Sequence, residues 1–317
     1  MWNFNTDKTQ ERIQKLHKYY DKNGLNADNF FCKYFPSCSQ SVNLREFKKQ
    51  FSGTTAAVMP FYDSEFGGKE IRILIVGKEH GYMQNLEFGI LPNFDSFNET
   101  VLNCVNWEKM NNHMKGTRDI LKYIFEVDSN NVLSAYTLSD AYRCSFQKID
   151  KFSNVSNVNS TKCMKNNCIK HLLAEIKILE PTLIITQGEW AVQGINNFVK
   201  TLEENLKQKA ECLKSSFNKK YGLYKFDDFI LMTTHHPAIY GHWKANLAPD
   251  SVWPFIDYLK ENKYLPSNNQ ISSLESTNLF NDLTKNEIKK RTEHLPSNDG
   301  LRKERVKTKQ LKIELNW

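Results

Sequence analysis

Apolar positions recur at helical spacing over residues 11–20, where Ile13, Leu16, Tyr19 and Tyr20 stand among charged residues. Gly24 supplies a stop, so the chain is expected to open with a helix. A loop bearing Cys32 and Cys38 follows. The β-branched run 71–76 ends at Gly77 and reads as a buried strand feeding a glycine turn. The pattern then predicts a helix over 116–125, a strand over 132–142, and a helix over 169–179 with Ile169, Leu172, Leu173, Ile176 and Leu179 on one face. Pro181 ends that helix. A strand over 182–186 stops at Gly188, a helix covers 190–206, and a strand over 229–234 runs into His235, His236 and Pro237. The last predicted helix is 252–260.

Strands that alternate with helices imply an α/β protein, with a central, mostly parallel four-stranded sheet and helices on both faces. In such sheets ligands sit beyond the carboxyl ends of the strands. Those ends carry residues 77–81, 140–144, Gly188 and 235–238. The expected division is a domain over 1–264 and a polar, basic C-terminal extension over 265–317. In the extension Ser, Asn and Thr give way to Arg302, Lys303, Arg305, Lys307, Lys309 and Lys312.

The 317 residues are 40% hydrophobic and 25% charged, a globular balance. No apolar segment approaches the ~20 residues needed to span a bilayer, and no export signal is visible, so the expectation is a cytoplasmic protein without membrane contact. Seven cysteines in such a chain argue against a disulfide framework and leave metal binding or burial. The net charge of +7 favours polyanionic partners, nucleic acid among them, and is equally the charge of a plain basic surface.

Three ordered segments sharpen this picture: Gly77-Lys78-Glu79-His80-Gly81, Asp140-Ala141-Tyr142-Arg143-Cys144, and His236-Pro237-Ala238. Cys168, Pro181 and Gly188 stand between the last two. In this order they resemble the uracil-DNA glycosylase superfamily, and within it the iron-sulfur branch, over about residues 30–260. The resemblance implies a uracil-DNA glycosylase-like fold, base flipping, and hydrolysis of the N-glycosidic bond through a cation-like sugar. Glu79 would position or deprotonate a water, and His236 would stabilise charge on the departing base. Glu79 stands at the third motif position, whereas the iron-sulfur branch has its Glu at the second, here Lys78. Without the resemblance, the same two residues read as a carboxylate serving a helix dipole and a buried histidine.

Asp140 replaces the asparagine that reads uracil in the family. An ionised carboxylate offers only acceptors, which suits the exocyclic amino group of cytosine. The expected substrate is therefore a modified cytosine, such as glucosylated hydroxymethylcytosine in phage DNA, with an antiviral role. A protonated or averted Asp140 is the other reading. Alternatives for the whole protein are a repair uracil glycosylase and a catalytically silent DNA-binding protein on the same fold.

The resemblance places His113 and Met114, in a loop over 112–114, on the wall of the base pocket, beside Gly77; the same loop reads equally as ordinary surface. Ile239, Tyr240, His242 and Trp243 follow as wedge or flanking-base contacts, with Lys244 and Arg143 at phosphates. It also makes Cys32, Cys38, Cys144 and Cys168 the ligands of a 4Fe-4S cluster, with Cys163 a substitute for Cys168. Zinc on the same thiolates, or no metal, remains open. Cys104 and Cys212 are assigned to burial or chance. The expected partner is DNA, and the expected state a monomer.

Overall fold

The computed structural model describes residues 2–25, 32–42, 48–53, 55–79, 112–149, 155–157, 160–188, 195–216, 221–237 and 252–266. The proposed extension 265–317 therefore lies almost wholly outside the described residues. Six helices are present among them: α1 (Thr6–Asn23), α2 (Phe35–Ser41), α3 (Asn112–Phe125), α4 (Lys162–Leu179), α5 (Ile195–Leu206) and α6 (Trp253–Glu261). The strands are β1 (Trp2–Phe4), β2 (Lys48–Gly53), β3 (Ala57–Val58), β4 (Ser64–Phe66), β5 (Lys69–Ile71), β6 (Ile73–Glu79) and β7 (Thr137–Tyr142). They continue with β8 (Cys144–Ile149), β9 (Val155–Asn157), β10 (Leu183–Gln187), β11 (Glu211–Ser215), β12 (Gly222–Lys225) and β13 (Ile230–Thr234).

The protein is α/β, and its main sheet is larger than the four strands expected. It is a seven-stranded mixed sheet in the order β11-β12-β13-β10-β6-β7-β3. The neighbours β13, β10, β6 and β7 pair in parallel, whereas β3, β12 and β11 add antiparallel edges. Two further antiparallel sheets, β1-β4-β5 and β2-β8-β9, were not anticipated. Their strands are mostly too short to leave an alternating pattern.

Strands β10 and β13 are buried at every position, as parallel strands covered on both faces must be. Register shows what covers them. Ser139, Val76, Thr186 and Thr233 form one row across β7, β6, β10 and β13. Ser139 donates to Glu175 of α4 at 2.6 Å, so that row faces α4. The next row holds Asp140 and Gly77, then Gln187 and Thr234. Because side chains alternate along a strand, this row faces the opposite side. There Gln187 Nε2 donates to Thr117 Oγ1 of α3 at 3.1 Å. Helix α6 joins α3 through a Tyr123–Asp257 hydrogen bond and a Lys260–Glu126 ion pair at 2.7 Å.

Helix α1 is longer than predicted because Asn5 caps it, its Oδ1 accepting from Lys8 N at 3.0 Å, and left-handed Gly24 ends it. Helix α4 begins seven residues before the predicted 169, where Thr161 Oγ1 accepts from Met164 N. The strand predicted from 132 starts at Thr137, since Asn130–Ser134 form a 3-10 turn capped by Ser129. Residues 112–114, read as loop, form the first turn of α3.

A buried polar network holds these parts in place. Glu175 is 0% exposed and accepts from Tyr20 of α1, Ser139 of β7 and Arg143, which follows β7. Tyr20 Oη in turn accepts from Ala56 N at 3.0 Å, just before β3. Replacing Glu175 by Leu leaves a buried guanidinium without its carboxylate. The expected loss is about 3–5 kcal/mol of stability, read from denaturant unfolding. Partial recovery is expected in Glu175→Leu combined with Arg143→Met. An unchanged midpoint for Glu175→Leu would remove the pair from its structural role.

Candidate active site and cysteine cluster

The carboxyl ends of the four parallel strands bring residues of all three sequence segments together. Gly77 of β6 lies opposite Asp140 of β7. A side-chain carbon at Gly77 would stand 2.7 Å from Asp140 Oδ1, so the carboxylate leans over this glycine. Gly188, which follows β10, has φ +101° and stands against His236. A carbon there would lie 3.0 Å from His236 Cδ2 and 3.2 Å from its Cβ. Gly188 N donates to Thr234 O at 3.2 Å, which fastens the two strand ends together.

Asp140 and His236 thus sit on the outer two of four adjacent strand ends, about 14 Å apart along the sheet from strand spacing. Both lean inward over glycines, and the two central strands offer no side chain at those positions. A carboxylate thus stands at one end of this row of strand ends and an imidazole at the other. Helix α3 overhangs the His236 end, where a carbon at Gly116 would lie 2.6 Å from Pro237 Cβ. Met114, buried in the first turn of α3, is close to that contact in the chain.

His235 is held separately. Its Nδ1 lies 2.6 Å from Tyr221 Oη, with ring centroids 4.0 Å apart. Burial pushes the Tyr221 phenol up to about 12, so it is protonated at neutral pH. Thr234 Oγ1 donates to Thr186 O at 2.9 Å and completes the fastening of β13 to β10.

Glu79 is the last residue of β6 and pairs in register with Tyr142. Its side chain, and that of His113, lie outside the described set. So do His80, Gly81, Cys104, Ala238, Ile239, Tyr240, His242, Trp243 and Lys244. Arg143 departs from expectation. It is 1% exposed, and its Nη2 is bound by Glu175 and, at 2.8 Å, by Ser139 Oγ. A guanidinium with no surface and a buried carboxylate partner does not reach a phosphate backbone.

The cysteines converge on the other side of Arg143. Cys32 precedes α2, Cys38 lies within it, Cys144 opens β8 and Cys168 is on α4, and all four are buried. Burial pushes each thiol up. Cys144 rises well above the ordinary range, and its neighbours Cys168, Cys32 and Cys38 push it the same way. Cys168 is pushed up to about 11 by burial, against the Arg143 N–H and charge. That N–H meets Cys168 Sγ at 3.4 Å.

Cys163 belongs to the same neighbourhood but on the Cys38 side, since Asn167 Nδ2 is 3.5 Å from both sulfurs. His171 Nε2 is 3.5 Å from Cys32 Sγ, and its Nδ1 is 2.8 Å from Tyr19 Oη. Burial first, then Arg143, Lys33 and Lys170, hold His171 down at about 4 and therefore neutral. Cys212 is exposed on β11, apart from this group. Among the described residues, no group of three or more His, Cys, Asp or Glu is arranged to hold a metal ion. Among them also, no helix is long and apolar enough to cross a membrane.

Sequence reasoning missed Glu175, Thr117, Gln187 and Tyr221. Glu175 was readable: a lone carboxylate on the apolar stripe of Leu172, Ile176 and Leu179 demands a buried partner. Tyr221 carries no such mark, because its contact with His235 depends on the β12–β13 pairing. No family model matches this chain, and no curated protein is similar to it.

The glycines separate two kinds of close approach. Gly188→Ala adds a side chain to a left-handed backbone against His236, and a loss of about 1–3 kcal/mol is expected. Gly77→Ala, with an ordinary backbone, meets the outer end of the Asp140 side chain rather than a ring or the main chain, so a smaller loss, under about 1 kcal/mol, is expected. Thermal unfolding of both variants checks the order, and equal losses would contradict it.

Proposed function

We propose that this protein is a DNA glycosylase that excises a modified cytosine and leaves an abasic site. One observation carries the reading: Asp140 and His236 lean toward one another over Gly77 and Gly188 at the carboxyl end of the sheet. The glycines leave the inner two strand ends without side chains there, and the outer two supply different chemistry, as a base and its sugar would require. In this reading Asp140 accepts from the exocyclic amino group, Glu79 orients or deprotonates the attacking water, and His236 stabilises charge on the leaving base. Met114 and His113 border the base. Ile239, Tyr240, His242 and Lys244 contact the DNA around the extruded nucleotide. Arg143 has no part in DNA contact.

The experiment is incubation of purified protein with DNAs carrying uracil, cytosine and hydroxymethylated or glucosylated cytosines, followed by mass spectrometry of released bases. Release of a cytosine derivative is expected. An ionised Asp140 facing uracil O4 sets acceptor against acceptor, at a cost of about 1–3 kcal/mol, so uracil is disfavoured by about tenfold or more. Asp140→Asn is expected to shift preference toward uracil. Efficient uracil release by the unaltered protein, with every cytosine derivative ignored, would make it a uracil glycosylase instead. Salt-sensitive DNA binding without base release would make it a silent binding protein.

The four buried thiols fit an iron-sulfur cluster. Cys168, Cys32 and Cys38 act on the ionisation of Cys144, and four cysteine thiolates are the donor set such clusters use. Cys32, Cys38, Cys144 and Cys168 would hold it, and when bound it would tie α2, β8 and α4 together without a redox step. Protein purified without air is expected to be brown and to contain iron and sulfide, and Cys144→Ala to lose both. Colourless protein containing zinc would replace the cluster by a zinc site.

A further inference from the structure

Arg143 presents an imbalance that its visible partners do not resolve. A guanidinium carries five N–H donors, and those on Nη2 are used by Glu175 and Ser139. Nε and Nη1 are buried and have no hydrogen-bond partner among the described residues. Glu175 does not meet them: its Oε1 accepts from Tyr20 and its Oε2 from Ser139 and Nη2. Leaving charged donors unsatisfied in a core 1% exposed is strongly unfavourable unless an acceptor occupies the remaining side.

The chain around Arg143 brings thiols close by. Arg143 stands between the end of β7 and the start of β8, directly before Cys144, and its own N–H points at Cys168 Sγ. Charged or titratable groups that act on the guanidinium include Glu175, Tyr20, Asp140 and Cys168, and it acts in turn on Tyr19, Cys144 and His171. A cluster held by four thiolates is anionic and presents many sulfur acceptors, which is the chemistry the free donors lack.

We infer that the unpartnered Nε and Nη1 groups of Arg143 donate to the sulfur of a cluster held by Cys32, Cys38, Cys144 and Cys168, and that its charge offsets the cluster's. This rests on the iron-sulfur reading above. Arg143 is then a positioning and tuning residue for the cofactor, joined through Glu175 to α1 and α4.

The test uses the full chain, purified without air, as the natural sequence, Arg143→Lys and Arg143→Gln. Iron and sulfide content, the cluster's midpoint potential and its rate of loss in air are measured. Hydrogen bonds and positive charge near cluster sulfur raise the potential. Both variants are therefore expected to show a lower potential and about tenfold faster cluster loss in air, with Arg143→Gln the more affected.

Should the variants fail to fold, pulsed EPR of the unaltered protein settles the matter. Guanidino-15N-arginine is incorporated, and a 15N coupling is expected in the reduced, paramagnetic cluster. A missing coupling, or variants with unchanged potential and lifetime, would overturn the inference while leaving the cluster reading intact. Unaltered protein without iron and sulfide would overturn both.

Discussion

The ion pair between Arg143 and Glu175 is the constraint around which the described structure is arranged. Neither charge reaches water, so each must be satisfied from within, and the groups that do so come from α1, α4, β7 and the segment before β3. Removing any of those elements from its place would strand a charge in the core. Buried pairs of this kind add little net stability over an apolar filling, but they strongly penalise every arrangement in which one partner is missing. Their contribution here is to fix how the N-terminal helix meets the sheet.

The same pair sits between the two regions with chemical potential. Three residues separate Asp140, at the strand ends, from Cys144, at the thiol group, and Arg143 stands immediately before the cysteine. Strand β7 ends in the central sheet and β8 begins in another, so the chain changes sheets at this residue. The buried pair at that corner therefore ties the end of the central sheet to the start of the smaller one.

The central strands and most helices were legible because parallel strands covered on both faces leave continuous apolar runs, as in β10 and β13. The convergence of residues 77, 140, 188 and 236 on one end of the sheet followed from the same pattern, since strand ends were expected to carry the ligand site. The edges were not legible. Strand β3 has two residues and β12 four, and their pairing is decided by neighbours distant in sequence. Arg143 was misplaced for a related reason: an arginine between a strand and a cysteine looks solvent-facing until Glu175, 32 residues on, is seen to stand against it.

The tie between Tyr20 and Glu175 spans 155 residues, and that between Arg12 and Glu180 spans 168. Helix α1 is thus made first and docked late. At about 5–20 residues per second, its partner surface on α4 emerges from the ribosome roughly 8–30 s afterwards. Until then α1 has only its earlier partners, Asp63 for Arg12 and Ala56 for Tyr20, to hold it. The buried network is therefore completed in two stages of synthesis, and its last member to arrive is the carboxylate that joins all the others.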